Sequence, residues 1–174
     1  MVNPVTATEE WIMPIDVTFG RQIIQGFKRY EIRSRQLHCP VGTRIWIYAT
    51  KTSRNRESGD TSGAILGYML FGGCREVRGP TDLREIAKAA ASTYANLHKY
   101  VMSTKRREKW PVWGVEVYQY ARLQALVEVT IKGQSMRRFD DGNLLRRLRG
   151  AEMSQPRYPL SDHALARRRQ RRNR

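Results

Sequence analysis

Cysteine is nearly missing from this chain: Cys39 and Cys74 are the only two in 174 residues. Neither has a neighbour at metal-ligand spacing, and two thiols make no disulfide framework. Both are expected to be free, as suits a reducing interior. Long apolar runs are also lacking, and none approaches the ~20 residues needed to cross a bilayer. The opening residues (MVNPVTATEEW) carry no basic segment or apolar run of a secretory signal. The expectation is a soluble, intracellular, cytoplasmic protein with no membrane partner. His38, His98 and His163 are scattered, so no metal site is expected, and no Ser–His–Asp spacing stands out. Phosphate-cradling glycine motifs are absent as well, and no cofactor is expected.

Negative charge is scarce relative to positive: 16 acidic residues face 32 lysines and arginines, a net charge of +16. A surplus of that size attracts polyanions. It is unevenly distributed. From Gln134 onward there are 12 arginines, no lysine and 4 acids, whereas the preceding 133 residues hold 20 basic and 12 acidic residues. Half the surplus thus lies on less than a quarter of the chain. This asymmetry predicts one domain over residues 8–134 and an arginine-rich extension over 135–174. A hydrophobic content of 40% suffices to bury a core in the first part.

Along the chain, Trp11-Ile12-Met13 reads as a short strand stopped by Pro14. Asp16 is placed to cap a helix with Val17, Ile23 and Ile24 on its apolar side, and Gly26 to end it. In the next segment Tyr30 and Ile32 alternate with Arg29, Glu31, Arg33 and Arg35, the pattern of a strand with an apolar and a charged face. Thr43 to Thr50 is β-rich, with Ile45 and Ile47 on one side and Arg44, Trp46 and Tyr48 on the other. The polar run Lys51 to Ser62 reads as an exposed loop. Ala64 to Val77 resumes β character, and Gly67, Gly72 and Gly73 mark bends in it. Asp82 and Glu85 suggest a capping box for one helix carrying Leu83, Ile86, Ala87, Ala90, Tyr94, Leu97 and Val101. A second β stretch spans Trp110 to Lys132. Asn143 to Arg149 can form a short amphipathic helix before the prolines Pro156 and Pro159, and Ser161 can cap a last one.

The order strand, proline, short helix, Gly26-Phe27-Lys28-Arg29-Tyr30-Glu31-Ile32-Arg33, then Gly42-Thr43-Arg44-Ile45-Trp46-Ile47-Tyr48-Ala49-Thr50 resembles the ASCH domain of the PUA-like superfamily. That family's signature is G-x-K-x-x-E-x-R, matched here by Gly26, Lys28, Glu31 and Arg33, followed by a strand reading I-Y-A-S/T. The stretch from Trp110 to Lys132 looks like its closing strands. The resemblance implies an α+β fold: a five- or six-stranded, mostly antiparallel PUA-like β-barrel flanked by helices, here with a basic C-terminal arm. It also implies that the signature residues line a cleft at the barrel mouth. Relatives bind RNA or modified nucleobases, and some act as ribonucleases or as amidohydrolases of acetylated cytidine. The amidohydrolase branch carries the lysine of position 28 but a threonine where Glu31 stands, together with a further acid downstream that has no assigned match here.

The leading expectation is therefore a non-catalytic RNA-binding protein, with RNA favoured over DNA. Its cleft reads a base or single strand and its arm grips the backbone. Lys28, Arg29, Arg33 and Lys51 can gather phosphates, and Glu31 can position them or accept from a base amino edge. Trp46 and Tyr48, on the charged side of their strand, are candidate stacking platforms with core packing as the alternative, the latter preferred for Trp46, and Thr50 closes the third strand. Arg54, Arg56, Lys105, Arg106 and Arg107 extend the basic surface. Arg167, Arg168, Arg169, Arg171 and Arg172 form a tract too charged to enter a core. An alternative is an enzyme of the same family, a ribonuclease or nucleoside amidohydrolase, with Lys28 and Glu31 as the catalytic pair. A second alternative is a structural component of a ribonucleoprotein.

Overall fold

Glycine-bent strands and one long antiparallel pairing organise the molecule. The computed structural model describes residues 9–50, 62–103, 110–132, 135–151 and 153–161. In chain order the elements are β1 (Glu10–Ile15), α1 (Val17–Ile24), β2 (Tyr30–Arg33), β3 (Arg44–Ala49), β4 (Ala64–Val77), α2 (Pro80–Ala87), α3 (Tyr94–Ser103), β5 (Val112–Glu128), β6 (Arg137–Arg138) and α4 (Gly142–Gly150). The strands form one six-stranded sheet in the order β2-β5-β4-β3-β1-β6. Only β1 and β3 run parallel; β1–β6, β2–β5, β3–β4 and β4–β5 are antiparallel. Among the described residues β2 and β6 do not pair, so the sheet curls into a half-barrel. The fold is α+β, as expected, with a mostly antiparallel sheet flanked by helices.

Local chemistry explains much of this. The Asp16 carboxylate accepts from the Thr18 amide at 2.9 Å and starts α1. Gly26, at φ +77°, ends it, and a Cβ there would lie 2.5 Å from the Tyr120 hydroxyl. The register of β4 against β5 shifts near Gly67 and around Gly72 and Gly73, where bends were expected. Pro14 does not stop β1. The strand runs through it to Ile15, because β6 pairs only with Trp11 and Ile12 and leaves the outer edge at Pro14 without a ladder.

Three apolar clusters share the sheet. Val17, Ile23 and Ile24 of α1 pack with Ile45, Ile47 and Met69 on one face. On the other face, Trp46, Tyr48, Ile65 and Leu123 pack with Leu144 and Leu148 of α4. A third cluster joins Ile32, Val77 and Val112 to Leu83 of α2 and to Leu97 and Val101 of α3.

The second cluster corrects two expectations. Tyr48 is 4% exposed, so its ring packs beside Trp46 and is no stacking platform. The polar parity of β3 misled because α4 covers that face. In addition, residue 134 does not separate a domain from an extension. Beyond it β6 pairs with β1, α4 buries Leu144 and Leu148, and Met153 and Arg157 bridge to Leu123 and Tyr120 of β5. Buried Glu10 secures this segment, accepting from the Trp46 indole at 2.6 Å and from Arg149 at 2.9–3.0 Å. The densest arginine tract, Arg167 to Arg172, lies outside the described residues. Removing Leu148, 0% exposed, should reveal this directly. Leu148→Ala is expected to cost about 2–5 kcal/mol in urea unfolding, as for a core leucine, whereas a residue on a detached arm would cost almost nothing.

Candidate functional site

The cleft begins with a broken helix. Expected as one, the segment after Pro80 is two, α2 and α3, separated where Ala91 adopts φ +53°. Thr93 restarts the helix: its hydroxyl accepts from the Asn96 amide at 3.2 Å and its carbonyl from Leu97. A continuous helix would occupy the Ala89 and Ala90 carbonyls internally. The break releases them. Ala89 accepts from the Arg29 and Tyr30 amides at 2.7 and 3.2 Å, which fixes the entry to β2. Ala90 accepts from the Lys28 ammonium at 2.7 Å.

From that anchor the signature residues form a charged row. Lys28, 2% exposed, lies 3.4 Å from Glu31, and Glu31 lies 3.3 Å from the Arg33 guanidinium. Arg33 also donates to the Pro14 carbonyl at 3.0 Å, crossing from edge strand β2 to β1. Thr50, just beyond β3, donates through its amide and hydroxyl to the Ile15 carbonyl and fixes the opposite wall. Between these walls opens a cleft of about 270 Å³. Its apolar lining includes Phe19, Ile32, Leu97 and Tyr100. Phe19 and Tyr100 are 41% and 43% exposed, and the Lys28 ammonium sits 4.8 Å from the Phe19 ring centre.

Of the residues expected at a site, Lys28, Glu31, Arg33 and Thr50 meet in this cleft. Arg29 lines a different depression, beside Tyr30 and Arg75. Tyr48 is in the core. Lys51, Arg54, Arg56, Lys105, Arg106, Arg107, Arg167, Arg168, Arg169, Arg171 and Arg172 lie outside the described residues. Phe19 and Tyr100 were missed. Each is an exposed aromatic at the margin of its helix's buried stripe, four residues before Ile23 in α1 and three after Leu97 in α3. A large ring at the edge of an apolar stripe was the available signal.

Burial dominates the electrostatics of Lys28. It pushes the ammonium pKa below the ordinary lysine value; Glu31 pulls it back up, and Arg33 pushes it down again. Between that lowered value and the ordinary ~10.4, the unfolded chain binds more protons than the folded one. Stability contributed through Lys28 therefore rises with pH across this window. Compared with Lys28→Met by urea unfolding from pH 7 to 10.5, the wild type should gain stability as pH rises. A constant difference between the two proteins would contradict a lowered pKa.

The half-barrel with helices on its faces and a charged cleft at its mouth defines an α+β domain. Scans against protein-family models and against curated protein sequences find no match. Solved structures do match. The crystal structure of ASCH from Zymomonas mobilis superposes with a TM-score of 0.63 at 15% identity, covering 83% of this chain and 97% of that one. Two single-residue variants of that protein give TM-scores of 0.63 and 0.58, at 12% and 15% identity, covering 85% and 83% of this chain and 100% and 99% of theirs. At such identities the likeness is one of fold. The chain has the ASCH fold, in agreement with the resemblance carried by Gly26, Lys28, Glu31 and Arg33.

Proposed function

We propose that this protein binds single-stranded RNA, with the cleft receiving one unpaired base and the arginine-rich C-terminal residues holding the backbone. The observation that carries this reading is the row Lys28–Glu31–Arg33 set against an aromatic-lined cleft of about 270 Å³. That volume falls just below the ~300 Å³ at which small-molecule pockets begin, and suits a base better than a folded partner. Exposed Phe19 and Tyr100 offer stacking surfaces that any base can use. Glu31 is an acceptor for an exocyclic amino group, and Lys28 and Arg33 are donors for a carbonyl or ring nitrogen. The net charge of +16 supplies general attraction to the phosphate backbone.

Fluorescence anisotropy with labelled single-stranded RNA tests both halves. Phe19→Ala and Tyr100→Ala alter exposed side chains and should each weaken binding about tenfold, within the range for one lost stacking contact. Deleting residues 162–174 should flatten the dependence of affinity on salt while leaving base preference in place. Unchanged affinity in both aromatic variants would remove the cleft from the binding account.

A second reading has a specific observation behind it. A lysine held below its ordinary pKa beside a carboxylate can orient or deprotonate water, as hydrolysis of RNA or of an acylated nucleoside would require. Under this reading purified protein converts such a substrate, and Lys28→Ala and Glu31→Gln each abolish conversion. Equal turnover in wild type and variants would assign the activity to a contaminant.

A further inference from the structure

A second concavity lies away from the cleft, where Ser154 and Arg157 run beside β5. It is a groove of about 700 Å³, lined by Gln25 and Phe27 after α1, by Arg122 and Gln124 of β5, and by Ser154 and Arg157. Arg122, Arg157, Gln25 and Gln124 are exposed. Among the described residues no carboxylate lines it, in contrast to the depression beside Arg29, where Glu85 and Glu116 accompany Arg75.

The groove is built on a fixed backbone. Arg157 and Tyr120 exchange amide-to-carbonyl bonds, both at 2.9 Å, and the Ser154 amide donates to the Arg122 carbonyl at 2.9 Å. The Ser154 hydroxyl accepts from the Arg122 amide, also at 2.9 Å. Leu160 then donates to the Gly26 carbonyl at 2.8 Å, tying the segment to the turn that leads into Lys28. One residue beyond Arg157, Tyr158 turns into the adjoining depression beside Arg29 and Glu116; it is 61% exposed and packs edge-to-face on Tyr118, itself 49% exposed, with ring centres 5.6 Å apart.

We propose that this groove, together with Tyr158 in the adjoining depression, forms a second contact surface for single-stranded RNA. Arg122 and Arg157 take phosphates, Gln25 and Gln124 donate to backbone oxygens, and a base stacks on Tyr158. Charge complementarity selects the occupant: two exposed guanidiniums with no carboxylate among the described residues lining their groove match phosphates, and the exposed Tyr158 ring of the adjoining depression offers a base a stacking surface. The surface rests on the reading that the protein binds RNA. It extends that reading from one base in the cleft to a strand that continues past Gly26 onto the 153–160 segment.

The experiment measures anisotropy of two labelled single-stranded RNAs, of about four and about sixteen nucleotides, on the full chain. The double variant Arg122→Gln/Arg157→Gln should bind the short RNA as wild type does. On the long RNA its log–log salt slope should fall by about 1.4, the value for two single-strand phosphate contacts. Tyr158→Ala should weaken the long RNA about tenfold and leave the short one unchanged. Arg84→Gln/Lys88→Gln, exposed positions in and just after α2, serves as the charge-matched control. An equal slope change in that control, or unchanged long-RNA binding in both groove variants, overturns the groove. If Phe19→Ala still weakens both RNAs, the cleft reading survives that loss. A wild type that binds neither RNA overturns both.

Discussion

A single buried carboxylate holds the candidate site together. Glu31 lies between Lys28 and Arg33, and the row leaves one unbalanced positive charge in a place largely closed to water. Burying three charges carries a desolvation cost of several kcal/mol per ion, offset only where geometry and further hydrogen bonds are good. Both cations have such bonds, Lys28 to the Ala90 carbonyl and Arg33 to the Pro14 carbonyl. Three separate parts of the fold therefore converge on one acid: the gap between α2 and α3, edge strand β2 and the end of β1. The positive charge left over makes the cleft attractive to an electron-rich ligand.

The open half-barrel and the cleft are one arrangement. The strand order places β2 and β6 at opposite edges, and curling brings β2 close to the end of β1 without joining the ladders. Arg33 spans that opening through its side chain. A closed ladder there would supply backbone hydrogen bonds and leave no mouth. With a side-chain bridge instead, space remains for a ligand above Ile32 and Leu97.

A contact surface outside the cleft would come from the same packing that anchors the C-terminal segment. Arg149 reaches Glu10, Leu144 and Leu148 enter the core, and the chain then turns along β5 until Leu160 meets Gly26. The segment ends beside the turn that begins the signature row. One glycine thus adjoins both surfaces, and its φ of +77° with Tyr120 close by leaves no room for a side chain.

Local rules reached far into this protein. The cap at Asp16, the turn at Gly26 and the glycine bends of β4 were legible because each depends on neighbours within a few residues, whereas the grouping of Lys28, Glu31 and Arg33 came from the resemblance to the ASCH signature. Period-two alternation also placed Ile45 and Ile47 on a buried face. It could not reveal that Trp46 and Tyr48 are buried too, since that depends on α4 arriving from almost a hundred residues away. Charge counting suggested a detached extension from residue 135, and missed that two leucines at helical spacing outweigh the arginines around them. The helix break was signalled only weakly, by Ser92 and Thr93, and its effect depends on where Lys28 ends. By itself the sequence determined most of the half-barrel's elements and its surplus of positive charge, and its resemblance to a family signature supplied the residues of the row. Tertiary structure alone decided which faces were covered, which aromatics lined the cleft and how the C-terminal segment was bound. Burial and long-range hydrogen bonding are properties of pairs of segments, and neither segment carries them alone.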